Sequence, residues 1–149
     1  MTRFTSYMHA AMKQAEDAAA LGEVPVGAVI VMGGEIIAAA GNRTRTLNDP
    51  TAHAEMLAIR AACQVLGQER LTGADLHVTL EPCPMCAGAI AAARIGRLYY
   101  AASDPKSGGV EQGPCVLSHP QCHHRPEIYP GIGERAASAL LTRFFATRR

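Results

Sequence analysis

The sequence predicts an α/β fold: a three-layer α/β/α arrangement with helices covering both faces of a mixed five-stranded sheet. Three observations carry this expectation. Segments with helical apolar spacing alternate with short β-rich runs in the order helix, hairpin, helix, strand, helix, strand, loop, helix. The 149 residues suffice for one sizeable core and are few for two, so residues 1–149 read as a single domain. Apolar residues make up 48% and charged residues 18%, without a biased tract, repeat or linker, which fits a packed domain rather than a disordered chain.

The elements follow in order. Residues 3–21 read as a helix, because Phe4, Met8, Met12, Ala15 and Ala19 recur on one face, and Gly22 suits its C-terminal cap. The run from Val24 to Met32 is rich in β-branched residues, and Gly33-Gly34 supplies a tight turn into a second strand, Glu35 to Ala40. Residues 41–50 are polar and turn-rich, a loop. A helix starts near Thr51 and runs to about Leu66, where Gly67 ends it, with Cys63 as a core residue. Leu76 to Glu81 is a strand, Pro84 to Arg94 a helix with proline in its first turn, and Ile95 to Ala101 a strand. Residues 103–131 are dense in Gly, Pro, His and Ser and long for a simple connection, so they form a candidate functional loop with a short strand near Ile128-Tyr129. Residues 134–147 close the fold as a helix with Leu140, Leu141, Phe144 and Phe145 on or near one face. Taken singly, the two phenylalanines read as core.

Composition narrows the function. The N-terminal residues lack the apolar core of a signal peptide, and the apolar segment from Val24 to Ala40 is broken by Gly33, Gly34 and Glu35, so a cytoplasmic location is expected. Five cysteines without a secretion signal argue against a disulfide framework. A net charge of +1 does not advertise a general nucleic-acid binder. The distribution is uneven, however: from Asp75 onward eight Lys or Arg face six Asp or Glu, with Arg143, Arg148 and Arg149 near the C-terminus.

Two segments carry chemistry. Thr51-Ala-His53-Ala-Glu55 and Glu81-Pro-Cys83-Pro-Met-Cys86 together supply one imidazole, two thiols and a carboxylate. His53, Cys83 and Cys86 are good zinc ligands, and three protein ligands leave a position for water, whereas a structural zinc normally has four. Both segments fall at helix beginnings, where orphan N–H groups lower thiol pKa values. Alone, the CxxC pair is also compatible with redox chemistry. A structural zinc could take its fourth ligand from Cys63, Cys115, Cys122 or a late histidine. His-x-Glu followed by Pro-Cys-x-x-Cys, however, is the zinc-deaminase signature, in which the glutamate is not a ligand and moves the proton.

Over nearly its whole length the chain also resembles the bacterial tRNA-specific adenosine deaminases. The matching stretches are Glu23–Val29, Gly41–Arg43, Asp49–Glu55, Val78–Cys83, Met85–Ile90, Ala93–Ile95, Asp104–Gly109, His124-Arg125 and Arg143–Arg149. The resemblance implies a cytidine-deaminase-like fold, a homodimer with one zinc ion per subunit, and conversion of the wobble adenosine of an arginine tRNA with an ACG anticodon to inosine. It makes His53, Cys83 and Cys86 the zinc ligands and Glu55 the proton shuttle. Asn42 would hydrogen-bond the target base, Val26 would pack on it, and the backbone around Ala54 and Pro82-Cys83 would hold the purine edge and the transition-state oxygen. Asp104 and Lys106 would meet flanking nucleotides or backbone. Arg143, Phe144 and Phe145 would close over the anticodon loop, and His119, His123 and Arg125 would contact RNA from the long loop. The chain departs from the family pattern at Ser118-His119, Cys122 and His123.

Two rival functions remain at this level. A deaminase of a free base such as cytosine or guanine would use the same metal motif. A zinc-stabilised, non-catalytic RNA-binding module would need a fourth ligand and leave Glu55 idle.

Overall fold

A computed structural model describes residues 7–147. Phe4, at the start of the expected first helix, and Arg148 and Arg149 lie outside the described residues. The elements are α1 (Met8–Ala20), β1 (Gly27–Met32), β2 (Glu35–Gly41), α2 (Ala54–Leu66), β3 (Asp75–Leu80), α3 (Pro84–Ala92), β4 (Arg97–Ala102), a single 3-10 turn at Val116–Ser118, β5 (Glu127–Tyr129) and α4 (Glu134–Ala146). The sheet runs β2-β1-β3-β4-β5. The hairpin and the β1–β3 pair are antiparallel, whereas β3–β4 and β4–β5 are parallel, so the sheet is mixed as expected.

Alternation along the strands builds the layers. On β1, Ala28 and Ile30 join Leu76 and Val78 of β3 in a core closed by Ala54, Ala58 and Ile59 of α2 and Ala87 and Ile90 of α3. Val29 and Val31 face the opposite side, against Met8 and Ala11 of α1 and Ala137 of α4. Close approach of α1 requires glycine in the paired positions Gly27 and Gly41. A Cβ on Gly27 would lie 2.5 Å from the backbone N of Ala15, and one on Gly41 would lie 2.7 Å from the backbone O of Gln14. The hairpin turn uses Gly33 and Gly34 at φ 59° and 80°, the left-handed pair that a two-residue turn demands.

Two helix boundaries and the burial of two residues differ from the sequence reading. Helix α2 begins at Ala54 rather than Thr51, because the Asp49 side chain accepts hydrogen bonds from the Thr51 amide (2.9 Å) and hydroxyl (2.7 Å) and holds Pro50-Thr51 in a turn. Helix α3 stops at Ala92, since Arg94 adopts φ 63°. Helix α4 buries only Ala137 among its residues, and Phe145 is 48% exposed, so Phe145 is not a core residue. Cys63 is only partly buried, packed at the margin of the α2 core.

On the α1 side, His77 of β3 is 6% exposed, and neither ring nitrogen has a hydrogen-bond partner. Its ring stacks on Tyr99 (4.4 Å between centroids, 3° between planes) and tilts against Tyr7. Burial pulls its pKa from 6.5 down to about 4. Between those values the unfolded chain binds a proton that the folded protein refuses. Stability is therefore complete above pH 6.5 and falls as pH drops toward 4, by up to about 3 kcal/mol. Replacing His77 by phenylalanine keeps a stacking ring and removes the titration. Urea unfolding of His77→Phe from pH 7 to pH 4 should show a shallower loss of stability than the wild type. Identical pH dependences would exclude His77 as the source.

Candidate active site

Helices α2 and α3 lie on the same face of the sheet and touch each other. Their N-termini meet beside the C-terminal end of β3. His53 is the N-cap of α2 and Cys83 the N-cap of α3, both in extended backbone conformations, and Cys86 follows in the first turn of α3, which begins with Pro84. His53 Nδ1 lies 3.5 Å from Cys83 Sγ and 3.4 Å from Cys86 Sγ. The three donor atoms lie within 4.8 Å of one another, the one such group among the described residues that could hold a metal ion. Tetrahedral zinc with ordinary Zn–N and Zn–S bonds has an N···S edge of about 3.5 Å, so the donors fit zinc in identity and spacing. None of the five cysteines is disulfide-bonded, and Cys115 and Cys122 belong to no metal-binding group among the described residues.

The electrostatics suit this chemistry. A hydrogen bond from Cys86, assisted by His53, lowers the Cys83 pKa to about 4, so Cys83 is a thiolate. Cys86, as the buried donor to that thiolate, is held in the thiol form until a metal displaces its proton. The separate hydrogen bond between His53 and Cys83 raises the pKa of His53, with burial opposing it. Glu55, in the first turn of α2, is 4% exposed, and burial pushes its carboxyl up to about 7, with the nearby Cys83 adding to the effect and His53 opposing it. A carboxyl with that pKa gains and loses a proton near neutrality, as an acid–base catalyst must.

A cavity of about 250 Å³ opens over these groups. Its lining includes His53, Ala54, Glu55 and Cys83, together with Val26, Asn42 and Asp104. Asn42 follows β2, its amide bonded to the Val26 carbonyl at 3.0 Å. Its side-chain Oδ1 is buried and has no hydrogen-bond partner. Pro82 is buried and does not line the cavity, and its carbonyl accepts the Gly109 amide at 2.8 Å. Lys106 is exposed next to the rim residue Ser107.

The remaining residues singled out in the sequence lie elsewhere. His119 and His123 line a separate groove against α3, with Gly88, Ala91 and Ala92. Arg125 borders a depression with Val110 and Cys115. Arg143 and Phe145 are exposed on α4, and Phe144 packs edge-on against Phe145. Sequence reasoning missed Thr44 and Ser107 on the cavity wall. It also gave no task to the buried acids Glu23 and Glu81. Glu81 stands inside the Glu-Pro-Cys segment, and that position next to a metal ligand was a readable signal.

Known proteins share this arrangement. The family described as the cytidine and deoxycytidylate deaminase zinc-binding region matches residues 1–102. A tRNA-specific adenosine deaminase of Agrobacterium fabrum (strain C58) is 55% identical over 149 residues, covering 100% of this chain and 98% of the relative. A solved structure from biochemical and structural studies of A-to-I editing by tRNA:A34 deaminases superposes with a TM-score of 0.90 at 57% identity, covering 91% of this chain and 98% of that chain. A guanine deaminase from Bacillus subtilis superposes with a TM-score of 0.67 at 35% identity, covering 99% and 94%. With a zinc-deaminase signature on the matching fold and full-length identity of this order, the chain belongs to the tRNA-specific adenosine deaminases of the cytidine and deoxycytidylate deaminase family.

Proposed function

We propose that this protein hydrolyses the wobble adenosine in the ACG anticodon loop of an arginine tRNA to inosine, releasing ammonia. One observation carries the reading: the cavity that holds the zinc donors and Glu55 also presents the unpartnered Oδ1 of Asn42, an acceptor buried where a base would dock. Zinc bound by His53, Cys83 and Cys86 supplies the acidification of a water molecule. Glu55 would carry one proton of the attacking water to N1 of the base, then take the other from the hydroxyl left on C6 and pass it to the departing amine, which leaves as ammonia. Asn42 orients the purine edge, Val26 packs on the ring, and the backbone at Ala54 and Pro82-Cys83 receives the edge and the developing oxyanion. A cavity of this size takes one flipped-out base, so the rest of the anticodon loop must lie outside it, passing Asp104 on the cavity wall and Lys106 beyond it. Arg143, Phe144, Phe145 and Arg125 then serve as outlying RNA contacts. A tRNA substrate is consistent with action in the cytoplasm, and among the described residues no helix is long and apolar enough to cross a membrane.

The groove of about 580 Å³ between α3 and the long loop supports a homodimer. Its floor is small and apolar, and a Cβ added to Gly88 would meet open space. A second copy seated there would bring His119 and His123 to the interface. Gly88→Glu should therefore shift the protein from dimer to monomer in sedimentation equilibrium. An unchanged mass would place the interface elsewhere.

Likeness to a guanine deaminase keeps a free-base substrate as the second reading, and one assay separates the two. Zinc-loaded protein is given an ACG-anticodon arginine tRNA transcript beside free adenosine, adenine, cytosine, cytidine and guanine, and ammonia release and inosine are measured. The expected result is inosine at the wobble position with little turnover of the small compounds. Turnover of guanine alone would overturn the tRNA substrate. Glu55→Ala should keep its zinc and fold and lose activity by about 10²- to 10⁴-fold. Full activity in the metal-loaded variant would remove Glu55 from proton transfer. Cys83→Ala should instead lose zinc, read by metal analysis after dialysis.

A further inference from the structure

Glu81 has no task in the reaction above, yet its carboxylate is 2% exposed and accepts five hydrogen bonds, all from one loop. Oε1 accepts from the Asp104 amide at 3.0 Å and the Ser103 hydroxyl at 3.3 Å. Oε2 accepts from the amides of Val110 (3.2 Å), Glu111 (2.8 Å) and Gln112 (3.0 Å). One side chain thus gathers both ends of the segment 104–112. Amides aimed at a carboxylate make charge-assisted bonds, stronger than neutral ones and more demanding in geometry.

The middle of the segment is seated just as closely. A Cβ on Gly108 would lie 2.6 Å from Cδ of Glu81, and one on Gly109 would lie 2.5 Å from the backbone N of Pro84. The Gly109 amide donates to the Pro82 carbonyl at 2.8 Å. The loop is therefore moulded onto Glu81-Pro82-Cys83-Pro84, the segment that carries a metal ligand. From the same loop Asp104 and Ser107 reach the cavity wall.

We propose that Glu81 is a positioning residue that fixes the 104–112 loop as the docking wall for the nucleotides flanking the target base. This rests on the tRNA reading, because a free base carries no flanking nucleotides for that wall to meet. Glu81 borders the cavity, but its carboxylate bonds go to the loop and none joins it to a metal donor. It acts through the loop, by setting where Asp104 and Ser107 stand relative to Cys83.

Glu81→Gln tests this with nearly constant size. Its amide nitrogen cannot accept a hydrogen bond, so it must face away from either the Asp104 end or the Val110–Gln112 end, and one end of the loop is released. Zinc content should stay at one per chain. The KM for an ACG anticodon stem-loop should rise about tenfold while kcat at saturation changes by less than about threefold. Amide hydrogen exchange should quicken within 104–112 and not in β3. Gly108→Ala, which leaves the carboxylate intact and forces the loop off it, should give the same pattern and decides the matter if Glu81→Gln does not fold. An unchanged KM, or kcat falling together with zinc content while KM stays constant, would overturn the positioning role. Failure of the wild type to deaminate the stem-loop would instead overturn the substrate reading.

Discussion

The site depends on two helix N-termini converging over one strand end. Helix N-caps are ordinarily Ser, Thr, Asp or Asn, whose side chains satisfy the first orphan amides. Here the cap positions of α2 and α3 hold His53 and Cys83, and neither makes a side-chain capping bond. Each helix forgoes about 1 kcal/mol of capping stability. In exchange, the extended backbone at each cap sends a metal donor into the space between the helices, while the orphan amides and the helix dipoles favour negative charge on the thiols. Metal binding then offsets the missing caps, which couples the integrity of both helix ends to the catalytic centre.

Three buried glutamates show how the same side chain is set to different tasks. Burial alone raises a carboxyl pKa. Glu81 overcomes that through the amides of Asp104, Gln112, Glu111 and Val110, and Glu23 through the Thr46 hydroxyl and the amides of Thr46 and Arg45, so both stay below the ordinary carboxylate range. Glu55 receives no comparable set of donors, and its pKa rises to about 7. In Glu23 and Glu81 the N–H and O–H donors together outweigh burial, whereas in Glu55 burial prevails. The anchors occupy matching places: Glu23 holds the loop that follows Asn42, and Glu81 holds the loop that carries Asp104.

What the sequence made legible was whatever is encoded by local spacing. Helical and strand periods placed the elements, Gly33-Gly34 marked the hairpin and Gly67 the end of α2, and His-x-Glu with Pro-Cys-x-x-Cys located the metal donors before any fold was in view. What stayed hidden depends on contacts between distant segments. Nothing in the neighbourhood of Glu81 announces that its partners lie 22 to 31 residues away. The isolation of His77 among tyrosines of other elements is equally non-local. Phe145 misled for the opposite reason: its apolar character suggests burial, but α4 meets the sheet through Ala137 and leaves Phe145 on the surface.

The division between a locally encoded centre and non-locally held walls bears on specificity. A metal with three fixed donors and a neighbouring carboxyl can deaminate any amidine-like ring carbon brought to it, so the centre cannot choose its substrate. Choice must come from the surfaces around it: Asn42 and Thr44 on one side, Asp104 and Ser107 on the other. Each surface is a loop, and loops without packed side chains are soft. Tying each to a buried carboxylate gives a loop the rigidity of the sheet without committing its outward residues to packing. Those outward residues are then free to differ between deaminases while the centre stays constant, and a change of substrate requires new walls on old anchors rather than a new active site.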